Sequence, residues 1–173
     1  MIDCPHYLVD KNHPLPPAYY PGDLVRSSIP FKAEIYDLKR CICAIAEKPL
    51  ETLHLAALED GMQLYGISAF RPYYRQQEIY LQSLAVKGKE HTQKYIAYPG
   101  YSEHQTGLAI DLSCPEIGFE LTEDFADTKE GGWLSKYAYQ FGFVLSYPRN
   151  NNQGYAYEPW HIRFTCKNAQ FYV

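Results

Sequence analysis

The chain has 173 residues, a formal net charge of −4 at pH 7 and an aromatic content of 16% that includes 17 tyrosines. This length suits one domain with a real hydrophobic core. The acidic balance, with no run of lysines or arginines, argues against a nucleic-acid-binding surface. The many tyrosines are typical of a groove with aromatic walls as much as of a packed core.

The cysteines and the apolar runs bear on the compartment. An odd number of cysteines without paired spacing predicts free thiols, and their spacing matches no zinc ribbon. No apolar run is long enough to span a bilayer and no signal peptide opens the sequence, so the chain as written is expected in the cytoplasm. The cysteines are Cys4, Cys41, Cys43, Cys114 and Cys166.

Residues 1–32 form a proline-rich arm. Prolines at this density predict an extended, turning segment and not a helix. Apolar residues between them favour an arm that packs on the core over a disordered linker. Residues 33–173 are then predicted to form a single domain. The prolines are Pro5, Pro14, Pro16, Pro17, Pro21 and Pro30.

Helical patterns follow the arm. Apolar residues spaced three or four apart predict an amphipathic helix over residues 33–48, which Pro49 ends. A second helix is predicted over residues 50–61 and a strand over residues 64–70.

Arg71 stands where this strand gives way to another helix. Pro72 fits the first turn of that helix, which is predicted to end near Val86. From such a junction a guanidinium can reach across a cleft, where it binds a carboxylate or stabilises an oxyanion. A surface salt bridge is the alternative.

The stretch 98–111 places His104 and Asp111 seven positions apart, with Gly107 between them. The apolar run 108–112 predicts a short strand that holds Asp111 in a fixed position. Gly107 allows a sharp turn that brings His104 back over this strand.

Later segments are predicted from similar signals. Residues 114–131 are acidic and irregular, which indicates a long loop. A short helix over residues 133–142 ends at a glycine, and residues 143–147 form a strand.

A second histidine, His161, follows Glu158 by three residues. Residues 158–164 are predicted to form a strand beside the first one. Odd spacing would point the two side chains to opposite faces. Pro159 cannot donate a ladder hydrogen bond, and an irregularity there would let Glu158 turn toward the histidine.

Two imidazoles, one carboxylate and a spare glutamate are the components of a catalytic zinc site. Such a site has three protein ligands, here His104, Asp111 and His161, and an open position. Glu158 is then the candidate general base. A closed structural zinc site needs a fourth protein ligand, and the sequence offers none.

These motifs resemble a known family. Residues 102–111 match the Ser-x-His-x-x-Gly-x-Ala-x-Asp signature of zinc peptidases of the D-Ala-D-Ala carboxypeptidase superfamily, and residues 158–161 match their Glu-x-x-His signature. The match is closer to the VanY-like carboxypeptidases of bacterial peptidoglycan, which include DD- and LD-specific members. The resemblance extends over nearly the whole chain.

The resemblance implies roles for further residues. Arg71 falls where the family has a catalytic or substrate-binding arginine, and Gln76 where it has a substrate-binding glutamine. Ser102 resembles the serine that contacts the terminal carboxylate of the substrate. The chain departs from its relatives at Ser146, where they commonly have arginine, and Arg149 could replace that charge in part.

We therefore predict an α+β domain in which helices pack on a small, mainly antiparallel sheet that carries a zinc site. The implied activity is a zinc-dependent D,D-carboxypeptidase that removes the terminal D-Ala from peptidoglycan stem peptides or precursors ending in D-Ala-D-Ala. An L,D-carboxypeptidase acting on the tetrapeptide is the alternative. A non-catalytic wall-binding module is another, although it has no use for Glu158. The family mostly works outside the membrane, so a chain that has lost a leader would face the cell wall.

Overall fold

The computed structural model describes residues 9–151 and 153–165, which form helices around an antiparallel sheet. This confirms the predicted α+β fold. Short 3-10 helices lie in the connections. The α-helices are α1 (Ala44–Glu59), α2 (Tyr73–Tyr95) and α3 (Lys129–Tyr137). The strands are β1 (Leu24–Arg26), β2 (Cys41–Cys43), β3 (Tyr65–Ser68), β4 (Ala109–Ser113), β5 (Phe143–Leu145) and β6 (His161–Phe164).

The main sheet has the strand order β3–β4–β6–β5, with every pair antiparallel. All of β4 is buried: β3 and β6 flank it in the sheet, and the hydrophobic core covers one of its faces. Asp111 of β4 is in register with Ser68 on β3 and with His161 on β6. Its neighbours Ile110 and Leu112 point to the opposite face, since side chains alternate along a strand.

The hydrophobic core covers that opposite face of the sheet. Ile110 and Leu112 belong to one cluster with Leu50 and Leu53 of α1 and with Leu134 of α3, and each of these side chains is almost fully buried. Burial of one such side chain is worth about 1.5–3 kcal/mol. The core therefore fixes β4 in position. Because the site lies on the other face of the same strand, its residues on β4 are held rigidly as well.

The predicted helix over residues 33–48 is wrong. Only a 3-10 helix, Leu38–Arg40, lies before β2, and α1 begins at Ala44. Residues 41–43 are extended because they pair with β1, a long-range contact that overrides the helical spacing. Pro49 lies inside α1 and does not end it.

Other boundaries also differ from the predictions. Helix α2 runs to Tyr95, past the predicted end, with a break at Gly88, where φ is 80°. The Thr92 hydroxyl donates to the Gly88 carbonyl at 2.8 Å and bridges this break. The predicted loop 114–131 contains 3-10 helices and the start of α3, which Thr128 caps by accepting from the Gly131 N–H at 3.0 Å.

The described part of the arm contacts the rest of the chain. The Leu15 N–H donates to the Gly100 carbonyl at 2.7 Å, and the Gln105 side chain donates to the Pro16 carbonyl at 3.1 Å. Residues 1–8 lie outside the described residues, and the boundary between residues 32 and 33 stays a prediction. Among the helices that the structure describes, none is long and apolar enough to cross a membrane.

Candidate metal centre and active site

Three ligand-type side chains meet on the open face of β4. His104 comes from the 3-10 helix Glu103–Thr106, Asp111 from β4 and His161 from the start of β6. Nε2 of His104 lies 3.1 Å from Oδ2 of Asp111, and Nδ1 of His161 lies 2.8 Å from Oδ1. All three side chains are buried, and one ligand atom from each falls within 4.8 Å of the others.

Gly107 makes this convergence possible. It adopts a left-handed conformation with φ of 71°, which reverses the chain between the 3-10 helix and β4. A Cβ atom there would lie 2.8 Å from the Cys43 sulfur, so a larger residue has no room. The turn predicted from the sequence is therefore present, and it brings His104 over Asp111.

Hydrogen bonds orient both imidazoles. Nδ1 of His104 donates to the Ala69 carbonyl at 2.7 Å, so Nε2 is the ring nitrogen that faces Asp111. Nε2 of His161 lies 2.9 Å from Oε2 of Glu103, and its Nδ1 faces Asp111. The sequence analysis missed Glu103, for which the one available signal was its position beside His104.

The charges of the site are strongly coupled. Burial opposes the charged form of His161, but hydrogen bonds to Asp111 and Glu103 outweigh it and raise the pKa of His161 to about 10. Burial likewise opposes the Asp111 carboxylate, but His104 and His161 hold the pKa of Asp111 well below its ordinary value. Burial lowers the pKa of His104, and so does the nearby Arg71. A metal ion that binds this group would therefore have to displace a proton from His161.

This donor set fits a catalytic zinc ion. Two imidazole nitrogens and one carboxylate oxygen are donors that zinc accepts, and three protein ligands leave one position open. Cys43 lies close by, but its thiol contacts the Thr106 carbonyl at 3.3 Å and is not among the clustered ligands. Cys41 and Cys114 are also free thiols, whereas Cys4 and Cys166 lie outside the described residues.

The three candidate metal ligands line a cleft of about 630 Å³. Tyr147, Tyr155 and Trp160 supply aromatic walls, and Lys87 and His91 of α2 line the same cleft. The structure brings every residue of the predicted site into it: Arg71, Gln76, Ser102, His104, Asp111, Glu158 and His161.

Glu158 reaches the cleft from a turn, and the predicted strand over residues 158–164 is wrong for its first three residues. Strand β6 begins at His161, whose N–H donates to the Glu158 carbonyl at 3.2 Å. Burial first, and then repulsion from Asp111, raise the pKa of Glu158 to about 7 against the attraction of His161 and Arg71. A carboxyl group with a pKa near neutrality suits a general base.

Arg71 and Gln76 form a second polar group in the cleft. An Arg71 nitrogen donates to the Gln76 side-chain oxygen at 2.9 Å, and another lies 3.6 Å from Oδ2 of Asp111. The Gln76 amide donates to the Ala97 carbonyl at 2.7 Å, which holds the pair in place. Ser102 is buried and lines the same cleft. These residues therefore present fixed donors beside the metal ligands.

Ser146, at the position for which the family resemblance implies arginine, is buried. Arg149 instead lies 3.4 Å from Glu123, a residue of the cleft, and both side chains are largely exposed. Such an exposed pair contributes little to stability. The charge of Arg149 thus stays at the rim of the cleft.

The raised pKa of Glu158 predicts a pH-dependent effect on stability. The folded chain holds this proton up to about pH 7, whereas the ordinary pKa is 4.5, so stability is lost as the pH rises between these values. In metal-free protein, Glu158→Gln should therefore be more stable than wild type at pH 8, by up to about 3 kcal/mol. The difference should vanish at pH 4.

Urea unfolding of both proteins at the two pH values, with a chelator present, measures this effect. Glu123→Gln is the matched control, because it alters an exposed carboxylate of the same cleft. A stability difference in Glu158→Gln that does not change with pH would contradict the assignment.

The fold and site together define a class of protein: an α+β domain in which a buried His-Asp-His group that could hold a metal ion shares one cleft with a buried glutamate. The chain belongs to the VanY family of D-alanyl-D-alanine carboxypeptidases, whose sequence model matches residues 40–167. The family predicted from the two motifs is thus confirmed.

Sequence relatives agree with this family. YodJ of Bacillus subtilis (strain 168) is 42% identical over 164 residues, which cover 94% of this chain and 60% of YodJ. The chain therefore spans less than two thirds of that relative. The bifunctional D-Ala-D-Ala dipeptidase and D-Ala-D-Ala carboxypeptidase VanXYC of Enterococcus gallinarum is 31% identical, with 91% of this chain and 81% of VanXYC covered.

Solved structures share the fold. The LdcB LD-carboxypeptidase is 42% identical and has a TM-score of 0.85, with 91% of this chain and 74% of that chain covered. A mutant of the vancomycin-resistance D,D-pentapeptidase VanY in complex with Zn(II) is 30% identical and has a TM-score of 0.72, with 91% and 86% covered.

Proposed function

We propose that this protein is a zinc-dependent carboxypeptidase that releases the terminal D-alanine from peptidoglycan stem peptides. One observation carries the proposal: Glu158, with a pKa near 7, lines the same cleft as the buried group His104, Asp111 and His161. A wall-binding module needs no such base. One related structure is a complex with Zn(II) and another is a complex with D-Ala-D-Ala, which supports the metal and the class of substrate.

In the proposed mechanism, each residue of the cleft has its own chemical role. His104, Asp111 and His161 would hold the zinc ion, which would supply Lewis acidity toward the scissile carbonyl. Glu158 accepts a proton from the attacking water and delivers it to the leaving amine. The Arg71 guanidinium stabilises the negative charge that develops on the carbonyl oxygen. Burial of the site strengthens each of these interactions.

Ser102 and Gln76 are proposed to bind the terminal carboxylate. Both are buried and both line the cleft, and Gln76 is hydrogen-bonded to Arg71. A carboxylate that fills such a group of donors satisfies them, whereas a substrate without it leaves buried donors unpaired. Recognition of a free C-terminus distinguishes a carboxypeptidase from an endopeptidase.

Two peptide bonds are candidates for cleavage, the D,D bond of the pentapeptide stem and the L,D bond of the tetrapeptide stem. D,D cleavage is predicted from the sequence, and two relatives support it: the D,D-pentapeptidase VanY and a D-alanyl-D-alanine carboxypeptidase of Enterococcus faecalis. L,D cleavage is favoured by the higher structural similarity to LdcB, with a TM-score of 0.85 against 0.72 for VanY. We therefore propose release of D-alanine as the shared activity and treat the L,D bond as the stronger of the two candidates.

Release of D-alanine from synthetic stem peptides tests the proposal. With zinc present, the tetrapeptide and the pentapeptide should differ in rate, and faster release from the tetrapeptide identifies L,D cleavage. Amidation of the C-terminus should lower kcat/KM by about 10⁴-fold, since it leaves the carboxylate donors without a charged partner.

Matched peptides with an altered N-terminus serve as controls and should react at nearly unchanged rates. Equal rates on free and amidated C-termini would exclude the carboxylate-binding role of Ser102 and Gln76. If zinc-loaded protein released no D-alanine from either the tetrapeptide or the pentapeptide, the proposed function itself would be contradicted.

A further inference from the structure

Glu103 connects the segment of His104 to two residues of β6. Its side chain is only 4% exposed, although it carries a carboxylate. Oε2 lies 2.9 Å from Nε2 of His161, and Oε1 accepts a hydrogen bond from Nε of Arg163 at 2.8 Å. His161 and Arg163 are two positions apart on a strand and so share one face of the sheet. Each carboxylate oxygen therefore has its own donor.

The His161 ring is packed as well as hydrogen-bonded. The Tyr147 ring stacks on it with centroids 5.0 Å apart and planes 28° apart, and the His104 ring approaches with its centroid at 4.9 Å. Stacking fixes the plane of the imidazole but does not distinguish the ring from the same ring flipped about its Cβ–Cγ bond. The polar partners of the ring nitrogens select between these two orientations, and among the described residues Glu103 is the partner of Nε2.

A metal ion binds an imidazole nitrogen that carries no proton. Nδ1 of His161 faces Asp111 and the rest of the metal group, so the metal-bound form must keep its proton on Nε2. A carboxylate that accepts a hydrogen bond from Nε2 favours this tautomer and holds the ring in the binding orientation. The position of Glu103 meets both requirements.

We infer that Glu103 is a positioning residue of the metal centre, which fixes the tautomer and orientation of His161 while Arg163 holds the carboxylate by its other oxygen. This inference concerns retention of the metal and not the choice of substrate. The alternative role for Glu103 is that of a buried counter-ion for Arg163, with no effect on His161.

Zinc affinity separates the two roles. Competition with a chromophoric chelator should show zinc bound about 10- to 100-fold more weakly by Glu103→Ala than by wild type. Glu103→Gln should lie between them, because a carboxamide can offer its oxygen to only one of the two donors. Arg163→Met leaves the contact with His161 in place and should lose less affinity than Glu103→Ala.

Glu130→Gln is the matched control. Glu130 is a buried glutamate of α3 that accepts a hydrogen bond from the Gln63 N–H at 3.1 Å, outside the cleft. Its substitution removes a buried carboxylate of similar exposure and should leave zinc affinity unchanged. Thermal melting of each variant establishes that the measured protein is folded, and the isosteric Glu103→Gln serves if Glu103→Ala does not fold.

Nitrogen-15 NMR of the zinc-loaded protein provides a readout that a purely structural role would not change. The Nε2 proton of His161 should be hydrogen-bonded and slow to exchange with water in wild type, and it should exchange faster in Glu103→Ala. Wild-type zinc affinity and unchanged exchange of this proton in both Glu103 variants would overturn the inference. So would an equal loss of affinity in Arg163→Met and Glu103→Ala with the exchange of this proton unchanged in each. Neither measurement depends on whether a peptide is hydrolysed.

Discussion

Glu158→Gln should bind zinc as tightly as wild type and lose kcat by about 10²- to 10⁴-fold, the usual contribution of a general base. The amide has the same shape as the carboxylate but cannot accept a proton. Glu158 lies in a turn whose backbone bonds to Tyr147 and His161, so this substitution leaves the turn intact. D-alanine release and zinc content, measured on the same preparation, check both expectations.

Glu123→Gln is the control for this variant as well. Glu123 lines the same cleft but contacts only the exposed Arg149 among its charged neighbours that the structure describes. Its activity should stay close to that of wild type. Full turnover in Glu158→Gln would remove the general base from the proposed mechanism and would favour another proton acceptor in the cleft.

His161→Ala should lose the metal itself, and with it the stability that bound metal provides. Zinc at about 1,000 times its Kd stabilises a folded protein by about 4 kcal/mol, which is roughly 10 °C in Tm for a chain of this size. Wild type should show this increase in Tm on addition of zinc, whereas His161→Ala should show none. Metal analysis after dialysis gives a second measurement.

His91→Ala is the matched control for the ligand substitution. His91 lines the same cleft and contacts Tyr95, with ring centroids 4.6 Å apart, but it is not part of the clustered ligands. It should keep both the metal and the zinc-dependent increase in Tm. One equivalent of zinc in His161→Ala after dialysis would exclude His161 as a ligand.

The sequence was informative where the determinants are local. The apolar run before and after Asp111 predicted β4, and Gly107 predicted the turn that folds His104 back over it. Periodicity failed at residues 41–43, because their extended conformation depends on pairing with Leu24–Arg26, a partner that spacing does not reveal. Glu158 was placed in a strand because apolar and aromatic residues follow it, although the chain turns there.

The role of Glu103 could not be predicted from the sequence, because its contacts are long-range. Glu103 and His161 are 58 positions apart, and no local pattern joins them. Arg71, Gln76 and Ser102 were placed by resemblance to the family, and their common cleft became visible only once α2 and the 3-10 helix of His104 were seen together. The type of chemistry could therefore be predicted, whereas the network that supports it could not.

Two hydrogen bonds join His104 to the segment that carries Arg71, and they offer a route for coupling between metal binding and substrate binding. Its ring donates to the Ala69 carbonyl at 2.7 Å, and its own carbonyl accepts from the Arg71 N–H at 3.1 Å. A metal ion that binds His104 and a substrate that binds Arg71 would therefore both contact, directly or through His104, the three-residue segment 69–71. If occupancy of one site alters the affinity of the other, reciprocity requires the same factor in both directions. A substrate that raises the affinity of the site for the metal would then itself bind more tightly, by the same factor, when the metal is present.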